Sequence, residues 1–355
     1  MDTILKNLGF DSFYESSCKE LQVGLDCVAR VIAEHKGIYY VKNSKGEFIA
    51  RITGKQMFTA LSREDYPAVG DWVVITMTDH DQAIIRQILP RKTVISRKST
   101  NKMKVQIIAA NVDVAFVVES VDRDYSLNRL ERYFALAEDG NVKPSVILNK
   151  VDLISKEDLD NKIAEIRKRF KNCIVIPTST TTKEGLDDLR NSFHSGKSYC
   201  FLGSSGVGKS SLINALIGES VVKTGAIGRG TGRGKHITTH REMYFLNSGG
   251  VVIDNPGMRE VGLINSGVGV KATFGEIEDF APHCKFTDCT HVHESGCAVL
   301  RAVESGMLDE DRYDNYIRLK KESEFYEMTD YEQRDKEKNF GKYVKKSLKR
   351  MKEFE

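Results

Sequence analysis

The sequence is short of several things, and each shortage narrows what the protein can be. No apolar run is long enough to cross a bilayer, so no membrane partner is expected. The first residues, Met1-Asp2-Thr3-Ile4-Leu5-Lys6-Asn7, lack the basic-then-apolar order of a signal peptide, and a cytoplasmic location is expected. Charge of one sign is scarce. The formal net charge is +3, too small for a chain-wide nucleic-acid footprint, so any such patch must be local. Cysteine is sparse as well, with 7 in the chain. Cys18, Cys27, Cys173 and Cys200 are scattered and read as reduced core thiols, whereas Cys284, Cys289 and Cys297 cluster. What is left, 40% hydrophobic and 29% charged over 355 residues, describes a soluble globular chain of two or three domains.

The strongest motif is Gly203-Ser204-Ser205-Gly206-Val207-Gly208-Lys209-Ser210. It lies between an apolar run (199–202) that reads as a buried strand and a segment (211–217) with helical spacing. Strand, glycine-rich turn and helix form the setting of a phosphate-cradling P-loop, in which backbone N–H groups and a helix N-terminus face the anion. Lys209 is then expected to reach the β- and γ-phosphates, Ser210 to hold Mg²⁺, and Ser211 to continue the phosphate-binding turn.

A P-loop does not name the base. Asn149-Lys150-Val151-Asp152 does, because a carboxylate at Asp152 accepts from both N1–H and the exocyclic amine of guanine. Adenine would leave that charge unpaired. Asn149 is expected at the other edge of the base, the Lys150 stem against its face, and Thr178-Ser179 in a loop behind it. This motif precedes the P-loop, the reverse of the ordinary GTPase order. Chain ends lie at the surface and can be relocated without changing a sheet, so the order reads as a circularly permuted α/β GTPase. The rival reading is a P-loop kinase or ATPase, against which Asp152 argues.

Taken in order, residues 1–20 read as a short helical or irregular lead-in. Residues 21–98 hold short strands (27–33, 37–41, 47–52, 71–75) separated by turn signals, the pattern of a small closed barrel of the OB type, a common binder of single-stranded RNA. Arg86, Arg91, Lys92, Arg97, Lys98, Lys102 and Lys104 follow as a basic stretch with candidate phosphate contacts. Residues 99–264 then alternate strands (113–118, 173–176, 250–253) with helices (126–137, 155–169), which predicts a parallel sheet covered on both faces.

Beyond the P-loop helix, residues 225–234 hold Gly225, Gly228, Gly230, Gly232 and Gly234 among basic residues, too much glycine to pack a core. In the following loop Thr238 is expected to hold Mg²⁺, with Thr239 as the alternative, and His236 is a candidate catalytic group. In Asp254-Asn255-Pro256-Gly257, Asp254 is expected to hold Mg²⁺ through water, and the Gly257 N–H to sense the γ-phosphate. Met258 stands where many GTPases carry a water-orienting Gln, so slow intrinsic turnover is expected.

Residues 265–355 read as a mainly helical domain. Cys284-x4-Cys289-x-His291-x5-Cys297 offers three thiolates and an imidazole, a Cys3His set for one structural Zn²⁺, with His283 and His293 nearby as substitutes. The tail carries Lys336, Lys338, Lys342, Lys345, Lys346, Lys349, Arg350 and Lys352 against Glu337, a further candidate phosphate contact.

Barrel, permuted GTPase and Cys/His cluster together resemble the ribosome small-subunit-dependent GTPase A family. The resemblance rests on the permuted order, GSSGVGKSSLINAL, DNPGMRE, CKFTDCTHVHESGC and LPRKTVISRKST, and it runs from about Leu21 to past Arg301. It implies a GTPase that binds the small (30S) ribosomal subunit and its rRNA, hydrolyses GTP to GDP there, and promotes release of assembly factors late in maturation. One departure is visible: the family's switch usually reads Gly-x-His-Thr-Thr, and here it is Gly234-Lys235-His236-Ile237-Thr238. The alternative is a weakly catalytic or non-catalytic GTP-controlled RNA-binding switch. A monomer is expected.

Overall fold

Alternating burial along the early strands sets the first part of the fold. In β2 (Ile38–Asn43) and β3 (Gly46–Ile52) buried side chains recur at every second position, as on a strand with one face on a core. With β1 (Val28–His35), β4 (Trp72–Met77) and β5 (Gln82–Ile88) they close a barrel. β1 pairs antiparallel with β2, β2 with β3, β5 with β4 and β4 with β1, while β3 and β5 run parallel. That is the OB arrangement, filled by residues such as Val31, Tyr39, Val41, Phe48, Ile75 and Ile85. The computed structural model describes residues 2–98, 105–122, 125–218, 241–254 and 267–328, with 331, 332, 335 and 338.

The N-terminal segment, which the sequence left without a role, is a packed cap. Helices α1 (Thr3–Asn7) and α2 (Ser12–Glu20) start at Asp2 and Asp11, whose carboxylates accept from Ile4 N and Phe13 N at 2.8 and 3.1 Å. Leu5, Leu8, Phe10, Tyr14 and Cys18 pack with Val28, Trp72 and Leu89. The Trp72 ring meets Phe10 edge-on at 5.0 Å. Beside it Arg30, 1% exposed, donates from Nε to Gly70 O at 3.2 Å and from Nη2 to Asn111 O at 3.1 Å, and also to Leu8 O. One buried guanidinium thus ties the cap, the barrel and the approach to the next domain.

The barrel's β3 reaches β4 through α3 (Gly54–Thr59), capped by a reciprocal Thr53–Gln56 box. After β5 comes the basic stretch, and several of its side chains have partners within the protein. Arg91 grips the fully buried Asp71 with Nε and Nη2 at 2.8 and 2.7 Å, and Lys92 Nζ donates to Asp11 at 2.6 Å. Arg97 lies against Gln106 at 3.4 Å, across the hairpin of β6 (Val94–Lys98) and β7 (Val105–Ala110). Arg91 and Lys92 are spent on holding the junction together. Lys102 and Lys104 lie outside the described residues.

The second sheet is built from β8 (Val114–Ser120), β9 (Lys143–Asn149), β10 (Val175–Thr178), β11 (Ser198–Leu202), β12 (Arg241–Phe245) and β13 (Val251–Asp254). Spatial order is β10-β9-β8-β11-β13-β12, parallel except for β12. Burial is continuous along β11 and β13, as strands covered on both faces require. The crossovers are α4 (Leu127–Asp139), α5 (Lys156–Arg169), α6 (Leu186–Asn191) and α7 (Lys209–Ile217). On α4 Leu130, Phe134 and Ala137 are buried as the periodicity predicts, while Leu127 is half-buried. Strand β12 carried no sequence signal. It pairs on its other edge with β1 (Ala33↔Glu242, Glu34↔Arg241), so barrel and GTPase sheet share one ladder.

The chain divides into two units between Val261 and Gly262. The second contains α8 (Gly267–Thr273), α9 (Gly275–Phe280), α10 (Ala298–Glu304) and α11 (Glu310–Glu327). Its core includes Val270, Phe274, Ile277, Val299, Tyr316 and Leu319. Arg312, 4% exposed, bonds Thr273 O at 2.9 Å and the Glu276 carboxylate, joining α11 to α8 and α9. Among the described residues no helix is long and apolar enough to cross a membrane.

Candidate nucleotide site and cysteine cluster

The parallel strands β8, β9, β10, β11 and β13 end together at Ser120, Asn149, Thr178, Leu202 and Asp254. Ligands of open α/β sheets bind beyond these carboxyl ends. The P-loop leaves β11 here. Gly203 takes φ +144°, and a Cβ there would fall 2.3 Å from Val118 O. Gly208 takes φ +104°, and a Cβ would sit 2.2 Å from Asn149 Nδ2. Only glycine lets the loop pass that close to the neighbouring motif. The nine-residue α7 then begins at Lys209 with Gly208 as its cap, and Ser210 and Ser211 occupy its first turn, half-buried. Ser204, Ser205 and Gly206 are also half-buried. This is a helix N-terminus whose amides can meet an anion.

Lys209 folds back on the loop. Its Nζ donates to Gly203 O at 2.8 Å and Ser204 O at 2.7 Å. Burial pushes its ammonium down to about 8, against the raising pull of Asp254 first, then Cys200 and Glu119. Asp254 is 2% exposed at the end of β13, close enough for its charge to act on Lys209. An ammonium held this reluctantly gains by meeting phosphate.

The Asn149-Lys150-Val151-Asp152 motif is joined to the P-loop directly. Asn149 Nδ2 donates to Val207 O at 2.8 Å, and Asn149 Oδ1 accepts from Thr178 Oγ1 at 3.1 Å. Buried Asn149 therefore braces two loops, and its amide is oriented by both. Lys150 turns into the left-handed region (φ +64°), which swings the chain so that Asp152 is exposed. Asp152 Oδ1 accepts from Ser179 Oγ at 2.6 Å, and that oxygen accepts from Thr181 N and Thr182 N at 3.2 and 3.1 Å. The carboxylate is thus aimed, with its outer side open to a base. Gly257, His236, Thr238 and Thr239, together with Met258, lie outside the described residues.

The sequence reading missed three neighbours. Asp122 accepts from Lys150 Nζ at 2.8 Å and from Ser120 Oγ at 2.8 Å. Arg129 on α4 donates from Nη1 to Ser204 Oγ at 3.2 Å and to the fully buried Glu119 at 3.4 Å. An acid inside an otherwise apolar strand run, Val117-Val118-Glu119, was the available signal for the last pair.

In the second unit the ligand atoms of Cys284, Cys289, His291 and Cys297 all lie within 4.8 Å of one another. His291, not His283 or His293, supplies the imidazole. Its Nδ1 is 3.6 Å from Cys284 Sγ and 3.5 Å from Cys297 Sγ, and the two sulfurs are 3.8 Å apart. Metal bonds of about 2.3 Å to sulfur and 2.0–2.1 Å to nitrogen give tetrahedral edges of about 3.8 Å (S–S) and about 3.6 Å (S–N). The observed separations match those edges, so the set fits a tetrahedral ion. Cys284 Sγ accepts from Ala298 N at 3.3 Å and Cys297 Sγ from Leu300 N at 3.4 Å, both in the first turn of α10. Burial works against the Cys284 thiolate, but the Ala298 and Val299 amides, with hydrogen bonds to the Cys297 and Cys289 sulfurs, prevail and hold its thiol below the usual range. Tyr313 on α11 donates to His291 O at 2.6 Å, fastening the ligand loop to the core.

Comparison with known proteins agrees with this architecture. The RsgA GTPase family profile matches residues 88–264. The chain is 39% identical to the small ribosomal subunit biogenesis GTPase RsgA 1 of Bacteroides thetaiotaomicron, over 92% of this chain and 91% of that one. It is 42% identical to the RsgA 1 of Oceanobacillus iheyensis, over 85% and 87%. The crystal structure of YjeQ from Thermotoga maritima superposes with a TM-score of 0.62 at 29% identity, covering 83% of this chain and 98% of that one. YloQ, described as a circularly permuted GTPase, gives 0.60 at 26% identity, over 85% and 96%. With an OB barrel, a permuted GTPase sheet and a Cys3His cluster in one chain, and relatives matched nearly end to end, this chain belongs to the RsgA family of GTPases.

Proposed function

We propose that this chain binds GTP at the carboxyl edge of its parallel sheet and hydrolyses it during biogenesis of the small ribosomal subunit. The observation that carries the reading is the Asn149 Nδ2 to Val207 O bond, which locks a guanine-reading motif against a P-loop. The relatives' names supply the setting, since they are small ribosomal subunit biogenesis GTPases.

In this reading Asp152 and Asn149 recognise guanine, Lys150 flanks the base, and Thr178 and Ser179 back it. The run from Gly203 to Ser211 cradles the phosphates, Lys209 supports the transferred group, and Asp254 and Gly257 close the γ-phosphate side. Mg²⁺ is assigned to Ser210, Thr238 and Asp254. The half-buried Ser210 at the head of α7 and the buried Asp254 suit a hard cation shared with phosphate. Bound there, Mg²⁺ neutralises charge developing on the phosphates. His236 is assigned to the attacking water, because Met258 cannot orient it. A single Zn²⁺ on Cys284, Cys289, His291 and Cys297 leaves no open position and acts as a staple. Functional division follows the sequence: lead-in 1–20, RNA-binding barrel 21–98, GTPase 99–264, metal-stapled helical domain 265–355. We assign rRNA of the small subunit as the partner of barrel and tail, with a monomer acting in the cytoplasm.

The test is GTP turnover by the protein alone, with large subunits and with small subunits. Stimulation by small subunits alone is expected, and His236→Ala should keep nucleotide and subunit binding while losing most of that stimulation. Equal rates in all three conditions would favour the second reading, a GTP-controlled switch that Met258 leaves nearly without catalysis.

A further inference from the structure

Behind the P-loop lies a charge relay that none of the nucleotide-site assignments uses. Glu119, at the end of β8, is fully buried, and its charge acts on Lys209. Arg129, on the first turn of α4, reaches it with Nη1 at 3.4 Å and bonds Ser204 Oγ at 3.2 Å with the same nitrogen. The helix start is itself fixed, because Ser126 Oγ accepts from Arg129 N at 3.3 Å. Ser204 in turn gives its carbonyl to Lys209 Nζ. A buried carboxylate, a guanidinium, a P-loop hydroxyl and the phosphate-binding lysine therefore form one continuous chain of contacts.

We propose that Arg129 is a positioning residue for the phosphates, acting by cancelling the Glu119 charge and tethering Ser204. This rests on the nucleotide site proposed above. A nucleoside di- or triphosphate brings several negative charges to the loop that Glu119 underlies. With Arg129 in place that carboxylate is paired, and the loop keeps a net positive face from Lys209 and the α7 amides. Without it the buried Glu119 carboxylate loses its guanidinium partner next to the anion site, and removing one partner of a buried ion pair is the damaging case. The loss of the Ser204 tether also frees the turn whose amides contact phosphate. Base recognition, set by Asp152 on another loop, is untouched.

The experiment measures GDP affinity with a fluorescent analogue for the parent, Arg129→Met, Arg129→Lys, Glu119→Gln and the Glu119→Gln/Arg129→Met pair, alongside melting temperatures. Arg129→Met should weaken GDP about tenfold or more, while the preference for GDP over ADP stays at the parent ratio. Arg129→Lys, which keeps the charge, and the double variant, which removes both charges, should each return to within about threefold of the parent. A double variant as weak as Arg129→Met, or an Arg129→Met protein that folds and binds GDP like the parent, overturns the proposal. Should Arg129→Met fail to fold, Arg129→Lys and the double variant decide alone. Lys209→Ala separates the two claims: if it binds GDP as the parent does, the nucleotide site itself is misassigned, whatever Arg129 does.

Discussion

The proposed nucleotide chemistry rests on single residues, and two of them can be interrogated one at a time. Asp152 is held by Ser179 on one oxygen and left open on its outer side, so in the proposed reading it would meet guanine already oriented. Asp152→Asn should weaken GTP on the order of 10²-fold, since a site built around paired polar contacts loses most when one is mismatched. It should also improve XTP relative to GTP, because an amide can pair with xanthine. Competition by unlabelled GTP, XTP and ATP measures both, and equal competition by ATP and GTP in the parent would sink the assignment. Lys209 gives a pH signature. Its ammonium sits at about 8 in the free protein, and a bound phosphate must raise it. Below about pH 7 the lysine is protonated with or without nucleotide, so it takes up no proton on binding. Above about pH 8 the free lysine has lost its proton and binding must take one up, so GDP affinity falls as pH rises. Calorimetry in buffers of different ionisation enthalpy, at about pH 6.5 and about pH 8.5, should find proton uptake only at the higher value. Uptake equal at both would place the coupling on another group.

At the scale of elements, the Cys3His loop and α10 form one device. Two sulfurs accept amides of the α10 first turn, Cys297 is itself the helix cap, and Tyr313 pins the loop to α11. If the set holds the proposed Zn²⁺, losing it should therefore unfasten the helices rather than switch off chemistry. Cys297→Ser is expected to lower far-UV helicity and release metal while leaving GDP affinity within about twofold, because the proposed nucleotide residues belong to the other compact unit. Elemental analysis of fresh protein and circular dichroism with a chelator are the measurements, and a metal-free protein with unchanged helicity refutes the role. This device was legible in the sequence because its ligands are close neighbours in the chain. The P-loop and the Asn149-Lys150-Val151-Asp152 run were legible for the same reason, since each encodes a local backbone requirement. Long-range partners were not. Arg91 reads as one basic residue among several, yet its carboxylate lies at Asp71, and nothing near it in sequence says so. Arg129 reads as the polar face of an amphipathic helix until Glu119 and Ser204 are seen beside it. Strand β12 is stabilised by neighbours on both edges rather than by its own pattern of exposed Glu242 before buried Met243 and Tyr244.

For the whole molecule, the decisive feature is how barrel and GTPase are joined. β1 belongs to the barrel through β2 and β4 and to the GTPase sheet through β12, and Arg30 bonds carbonyls of the cap, the barrel and Asn111. Shared strands and shared buried groups cannot be undone on one side only, so residues 2–254 should unfold as one cooperative block. The cap should belong to that block, since Phe10 and Tyr14 pack on Trp72. Trp72 is the chain's only tryptophan and is fully buried, which makes its emission a reporter of the cap and barrel alone. In a urea titration the red shift of Trp72 should therefore coincide with loss of GDP binding, although the nucleotide site lies on the other sheet. Saturating GDP should move the Trp72 midpoint upward, as any ligand of the folded state does, by about 2.7 kcal/mol of stability at 100 times its Kd. Phe10→Ala, which removes a large aromatic from the cap core, should cost about 3–5 kcal/mol and shift both probes together. The second unit has its own core and its own Cys3His cluster, so a chelator should lower helicity without moving Trp72 emission. A Trp72 transition at lower urea than the loss of GDP binding, unaffected by GDP, would show the barrel opening alone and would break the single-block account.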